Sequence, residues 1–553
     1  MAKSTQRGAA LVRILVVLFV VALVAAACSS GESVDVDDDS TTTTAAAGGD
    51  ETTTTAADGG DETTTTAAAG GDTGGGAVLI AAQGSEPDRL DPHLTSAFAS
   101  FQVLENVYDT LVQPGADLSM EPALAESWEI SDDNLTWTFK MREGVTWHNG
   151  RPFTAADVEY SFNRIMDPDF GAANAWRFGA VESVTAVDDM TLEIKVTQPT
   201  PNLLVSIGGF KGMAIVPQEI VDDGTIDTNP VGTGPFKFVS SSPDQGIVLE
   251  RNENYWRADE GLPYLNGIQF TQIPDPTVKL TNLQTGAVDW VDTVPPQQLS
   301  ALESDDSVVV MRVPGGDYHY FALNQTREPF DNPDVRRAIA TAINREEIAE
   351  AAQFGAAVAN QAAIPEGTFW YYDYAPYPTA DAAAAQALLE GAGVTDLTIE
   401  FLVTSDFPET VTQAQVISAQ LAEIGVTVEI KDVDFGTWLD LEGSGEFDAF
   451  MLSWIGNIDP DDFYYAQHHS DGGFNFQGYS NPDVDALLDE ARVETDQDAR
   501  KALYDEAAAM IIDDASYIYL YNPQNINAWS PRVSGYTVRG DNAVRFVETR
   551  LDG

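Results

Sequence analysis

One cysteine, Cys28, occurs in 553 residues. Neither an intramolecular disulfide nor a cysteine-based metal cluster can hold such a chain, so whatever folds must be held by burial of apolar surface. The material is present, since 44% of residues are hydrophobic and 10% aromatic. At roughly 100–200 residues per domain, the length predicts several domains or lobes. Charge then excludes some functions. Against 28 Lys+Arg stand 87 Asp+Glu, a formal net charge of −59. So negative a surface repels phosphate backbones and anionic headgroups, which argues against nucleic-acid binding and against membrane docking through a basic patch.

Cys28 also marks a position. Lys3, Arg7 and Arg13 precede an apolar run, 14–27, that ends Ala25-Ala26-Ala27-Cys28. A charged start, an apolar core and small residues before a cut site predict a secretory signal over 1–28. The run is short for a spanning helix, which needs about 20 apolar residues. Its end resembles the lipobox of bacterial lipoproteins, with Ala25 where that motif usually carries Leu. The resemblance implies lipid attachment at Cys28 and a protein anchored to the extracytoplasmic face of the cell membrane. The alternative is a retained anchor helix starting near residue 9. Both place the rest of the chain outside the cytoplasmic membrane.

Residues 29–77 read as a linker. They hold an eleven-residue repeat over 40–50, 51–61 and 62–72, built from threonine runs, alanines, Gly pairs and acidic residues. A period of eleven in a helix would give a right-handed supercoil, but the repeats lack any large apolar residue to bury. A flexible tether is expected.

The folded part begins near Val78. The apolar stretch 78–82 predicts a strand, and 134–141 and 191–196 alternate with the period of half-buried strands. Val158, Phe162 and Ile165 have helical spacing after Thr154, an N-cap candidate with Asp157 three residues on. A longer helix is predicted over 333–352, with Pro333 at its first position and Val335, Ile339, Ala342 and Ile343 on one face. Helices are also predicted over 382–392, 413–424, 484–492 and 499–512, with a strand at 426–430. The fold class is α/β or α+β. Gly232, Gly234 and Pro235 read as turn residues, and Trp128, Trp147, Phe153 and Tyr255 as packing aromatics.

An ordered series of motifs carries a resemblance. It runs from Glu86-Pro-Asp-Arg-Leu-Asp-Pro92 and Asn106-Val-Tyr-Asp-Thr-Leu111 through Pro122-Ala-Leu-Ala-Glu-Ser-Trp128, Trp147-His-Asn-Gly150 and Phe153-Thr-Ala-Ala-Asp-Val158. It continues with Pro230-Val-Gly-Thr-Gly-Pro-Phe236, Arg251-Asn-Glu-Asn-Tyr-Trp256, Val335-Arg-Arg-Ala338, Gln420-Leu-Ala-Glu-Ile-Gly425 and Tyr479-Ser-Asn-Pro482. The chain resembles family 5 extracellular solute-binding proteins, the oligopeptide-, dipeptide- and nickel-binding components of ABC importers, from about residue 78 to the end. The resemblance implies an α/β, two-lobe periplasmic-binding-protein-like fold of type II, with the ligand cleft between the lobes. The first lobe would comprise 78–118, 225–315 and 525–553, with a subdomain inserted at 119–224, and the second lobe 316–524. Crossings near 317–323 and 519–524 would form a hinge whose closed state engages the permease. A monomer that captures peptides or peptide-like solutes is expected, the alternatives being an amine-free solute (an oligosaccharide or nickel chelate) or a surface peptide sensor uncoupled from transport.

Three segments are candidates for the solute site. Phe369-Trp370-Tyr371-Tyr372-Asp373-Tyr374 packs five aromatics into a stretch without helical or strand period. Such rings offer contact area at low entropic cost and faces for an ammonium, though packing against the second lobe would use them equally well. The second is Ser453-Trp454-Ile-Gly-Asn457-Ile-Asp459-Pro460-Asp461-Asp462-Phe463. In peptide-binding relatives of this kind, an Asp three positions after the Trp pairs with the peptide's α-ammonium. Asn457 occupies that place here, so either Asp459 or Asp461 takes over or the solute presents no free α-amine. The third is Ser96-Ala-Phe98-Ala-Ser100, a first-lobe turn that faces the cleft in relatives, or else a helix start with a core Phe.

Enzyme motifs are absent from the sequence: there is no Gly-x-Ser-x-Gly elbow, no His-Glu-x-x-His and no P-loop. His468-His469 is the one adjacent pair among five histidines, and neighbours in sequence rarely aim at one ion. No cofactor, no metal site and no catalytic residue are expected.

Overall fold

A computed structural model describes residues 77–209, 211–243, 245–455 and 458–552. Cys28, the signal, the linker up to residue 76 and Asn457 lie outside the described residues.

A mixed sheet of 12 strands runs through the described chain. Val78–Gln83 is interior to it, parallel to Gly267–Gln272 on one side and to Trp290–Val291 on the other. An antiparallel hairpin, Phe236–Ser242 with Gly246–Arg251, extends this half. In the other half, Thr398–Val403 lies between Thr427–Asp432 and Ala449–Trp454, parallel to both. Tyr318–Leu323 pairs antiparallel with Ala449–Trp454, and all six of its residues are buried. Strands apolar on both faces suit a sheet covered on both sides, and helices supply the cover.

The two halves are joined by one long strand, Ile518–Trp529. Its first part pairs with Tyr318–Leu323 and Ala357–Ala359, and its second part with Val309–Pro314 and Trp290–Val291. The changeover falls at Asn522–Gln524. There the buried Asn522 donates through Nδ2 to the carbonyls of Asp317 and Ala363, each at 2.9 Å, and accepts from Asn360 Nδ2 at 2.7 Å. Gly315 N donates to the Pro523 carbonyl at 3.1 Å. A Cβ on Gly315 would lie 2.7 Å from that same oxygen, so the close approach of these two segments requires a residue without a side chain at 315.

A separate four-stranded antiparallel sheet orders Ala125–Ile130, Thr136–Met141, Thr191–Val196 and Val181–Asp188. Its two central strands alternate as their sequences predict, burying Trp137, Phe139 and Met141 on one and Leu192, Ile194 and Val196 on the other. The helix Ala155–Met166 covers it with Val158, Phe162 and Ile165. It begins in a capping box between Thr154 and Asp157.

The sequence-based helix over 333–352 is two helices, Pro333–Ala342 and Arg345–Gln353. Asn344 separates them because its side chain accepts from Glu347 N at 3.1 Å, capping the second. Gly232 and Gly234 lie in the irregular, bent stretch that enters Phe236–Ser242, consistent with their reading as turn residues. Their φ angles are not positive, and what excludes a side chain is the Val107 carbonyl, 1.9 and 2.6 Å from where a Cβ would sit. Trp147, Phe153 and Tyr255 are buried, whereas Trp128 is half-buried. No helix among the described residues is long and apolar enough to cross a membrane.

Candidate functional site

The loop that follows Ala449–Trp454 is built on arginines. Asp459 is buried, and both its oxygens are taken by Arg500, at 2.6 and 2.7 Å. Asp459 Oδ1 also accepts from Asp461 N at 3.0 Å, which turns the chain into the helix Asp461–His468. Asp461 faces Arg492 at 3.1 Å and accepts from the Tyr504 hydroxyl at 3.3 Å. Arg500 comes from the helix Gln497–Asp513, where burial works against its charge and the Asp459 carboxylate outweighs that, leaving its pKa above the ordinary value. A charge-assisted fork of this kind fixes the loop's shape.

The third carboxylate is held from elsewhere in the fold. Asp462 meets Arg177 at 3.5 Å, and Arg177 lies in the turn Ala175–Phe178, far away in sequence. Burial pushes the Asp462 carboxyl up to about 6; Arg177 pulls it down, while Asp459 and Asp461 add to the rise. A second contact lies nearby, since a Cβ on Gly209 would be 3.3 Å from Ile458 Cδ1. The chain around 175–209 and the segment 458–462 therefore touch here. Around the contact stand apolar groups open to solvent, with Trp176 62% and Ile455 73% exposed, while Trp454 is set edge-on to Phe474 at 4.8 Å.

The aromatic run splits between two duties. Trp370 packs edge-on to Tyr504, and the Arg500 guanidinium lies 5.2 Å above its ring. Tyr372 stacks on Tyr374 at 5.6 Å, and Tyr374 donates its hydroxyl proton to Asp513 Oδ1 at 2.7 Å. These rings clothe the helix Gln497–Asp513. Tyr371 instead lines a cavity of about 300 Å³ beside the crossing strand, together with Asn360, Pro365, Glu366 and Asn522.

Phe98 opens the helix Phe98–Leu104 and is 49% exposed. The turn before it is fixed by Asp88, whose Oδ1 accepts from Thr95 Oγ1 at 2.6 Å and Ser100 Oγ at 2.7 Å. Asn457 lies outside the described residues. The adjacent histidines have unlike surroundings. His468 is buried between Ser516 Oγ and the Tyr519 hydroxyl, and His469 Nε2 lies 3.5 Å from Asp489. Among the described residues no group of three or more His, Cys, Asp or Glu could hold a metal ion. Sequence reasoning missed Arg177, Arg492 and Arg500. No local pattern distinguishes them from other arginines, and their partners are distant in the chain.

Two lobes joined by crossing strands, with loops that meet between them, define a type II periplasmic-binding-protein fold. The chain belongs to the bacterial extracellular solute-binding proteins, family 5, whose middle-region model matches residues 119–475. Members of this family bind solutes for transport rather than act as enzymes. The chain is 30% identical over 484 residues to the glutathione-binding protein GsiB of Pectobacterium atrosepticum, covering 85% of this chain and 94% of that protein. It is 32% identical to heme-binding protein A of Haemophilus influenzae, covering 81% and 87% respectively. Among solved structures, HbpA2 from Haemophilus parasuis superposes with a TM-score of 0.80 at 25% identity, over 86% of this chain and all of that one. DppA from Helicobacter pylori, in complex with the peptide STSA, superposes with a TM-score of 0.71 at 30% identity, over 86% and 98%.

Proposed function

We propose that the protein captures a peptide-like solute between its lobes and delivers it to the permease of an ABC importer. It would work as a monomer, tethered by a lipid on Cys28 and the linker that follows. Binding would rest on differential affinity, because a solute that touches both lobes favours their closed arrangement. The glutathione-binding and peptide-bound relatives support a peptide-like solute.

One observation narrows the class. Asp459 and Asp461, the residues able to replace the missing carboxylate at Asn457, are engaged by Arg500 and Arg492. Neither is left to neutralise an α-ammonium in a dry cleft, where an unpaired charge is costly. The reading is therefore a solute whose α-amine is blocked, absent or left in solvent, held by Trp454, Tyr371, Phe98 and the Asn457 amide.

Native mass spectrometry of the purified protein identifies what co-purifies. Thermal-shift titration with glutathione, free dipeptides and their N-acetylated forms then tests the class. Acetylated peptides should bind at least as well as free ones. A strict requirement for a free α-amine would sink this reading, and normal uptake after deletion of the gene would sink the role in transport.

A further inference from the structure

The cavity of about 300 Å³ that Tyr371 lines, beside the crossing strand, has a wall of one electrical sign. Pro314, Val358 and Pro365 make much of it apolar, Asn360 and Asn522 are neutral, and Glu366 is its one carboxylate. No Lys, Arg or His contributes to it.

Both amides are already spent. Asn360 Nδ2 donates to Asn522 Oδ1 at 2.7 Å and to the Ile364 carbonyl at 3.1 Å, and its Oδ1 accepts from Gln361 N at 2.8 Å and Ala362 N at 3.1 Å. Asn522 Nδ2 donates to the Asp317 and Ala363 carbonyls. The Glu366 carboxylate and the Tyr371 hydroxyl, by contrast, meet no hydrogen-bond or ion-pair partner among the described residues.

One short turn presents both side chains. Gly367 has φ 91°, in the left-handed region that favours glycine, Thr368 Oγ1 donates to the Pro365 carbonyl at 3.2 Å, and Tyr371 N donates to the Thr368 carbonyl at 3.2 Å. Burial, and after it the carboxylates of Asp373 and Glu366, hold the Tyr371 phenol above its ordinary pKa, so the negative field reaches the ring.

An apolar wall that ends in a carboxylate and an aromatic ring suits a long side chain with a charged tip. Its methylenes lie along the apolar surface while the cation meets the carboxylate and the ring. A bare α-ammonium brings no such stem. We propose that this cavity seats a lysine-like side chain of the solute, its stem along Pro314, Val358 and Pro365 and its ammonium at Glu366 and Tyr371. The inference rests on the reading of the protein as a receptor for peptide-like solutes, and it assigns such a solute a cation apart from the α-amine.

Titration calorimetry on the full-chain protein tests it, with N-acetylated dipeptides carrying lysine or norleucine at either position. Norleucine is the uncharged match for the lysine stem. The lysine peptide should bind about fivefold more tightly, a modest factor because Glu366 is exposed. Glu366→Gln should lose that preference and bind the norleucine peptide as before, whereas Asp373→Asn, outside the wall, should keep most of it. Equal affinities in the wild type, a preference that survives Glu366→Gln, or its equal loss in Asp373→Asn would overturn the inference and leave the receptor reading standing. Failure of every acetylated and free peptide to bind would overturn both.

Discussion

Arg177 and Asp462 meet at 3.5 Å with 4% and 13% of their side-chain surfaces exposed, an ion pair between the turn Ala175–Phe178 and the helix Asp461–His468. Parts of the chain far apart in sequence are tied there, in the first turn of the helix Asp461–His468. A hinge motion that separates these two elements must break the pair, and the pair would then act on the balance between open and closed arrangements.

Arg177→Ala should therefore weaken solute binding. It strands Asp462 beside Asp459 and Asp461 without its cation, and removing one partner of a buried pair costs more than the pair contributes. A loss of about 1.5–3 kcal/mol, a roughly ten- to hundredfold rise in Kd, is expected. Calorimetry reads the affinity, and small-angle scattering of the liganded protein reads a larger radius of gyration. Unchanged values in both would remove the latch from the account.

Asp459→Asn should act on stability first. Arg500 would keep its burial and lose its carboxylate, at a cost of about 3–5 kcal/mol to the second lobe. Below its melting range the variant should still bind solute within a fewfold of wild type. A large affinity loss with an unchanged melting curve would instead make Asp459 a solute contact.

Tyr371 and Trp370 should respond differently despite adjacency. Tyr371→Ala opens a cavity wall and should lower affinity by about 1 kcal/mol or more with little change in melting temperature. Trp370→Ala removes the ring that Arg500 and Tyr504 pack against, and should destabilise the fold by about 3 kcal/mol. Melting curves and titrations on both variants decide it, and reversed behaviour would exchange their roles.

Glu442 gives a pH dependence. It is 5% exposed on the helix Phe435–Ser444, and burial pushes its carboxyl up to about 8. The folded state thus keeps a proton that the unfolded chain gives up near 4.5. Its contribution to stability is complete below that value and is lost as pH rises through about 8. Glu442→Gln should change little near pH 4 and stabilise the protein at about pH 9, by on the order of 3 kcal/mol. Parallel melting-temperature profiles for the two proteins would contradict it.

Local pattern sufficed for most elements. The alternation of 191–196 gives a strand with the same bounds in the structure, and the Thr154–Asp157 signal gives a capped helix. Both depend on side chains within a few residues of one another. The break at Asn344 was less legible, because a capping side chain inside a helical period looks like an ordinary polar face.

The aromatic run at 369–374 shows where pattern stops. Its composition is equally suited to a binding wall and to a packed loop, and it serves both: Tyr371 lines a cavity while Trp370 and Tyr372 lean on the helix Gln497–Asp513. By itself, the sequence determined the family and the α/β class, and with them the motifs that mark a two-lobe solute-binding protein. Periodicity and short motifs are encoded in neighbouring residues. Only the tertiary structure decided which carboxylates are free to meet a solute. Asp459 finds Arg500 41 residues away, and Asp462 finds Arg177 on another part of the fold. Ion pairing depends on distance in space, and chain order carries no record of it until the core has set the lobes in place.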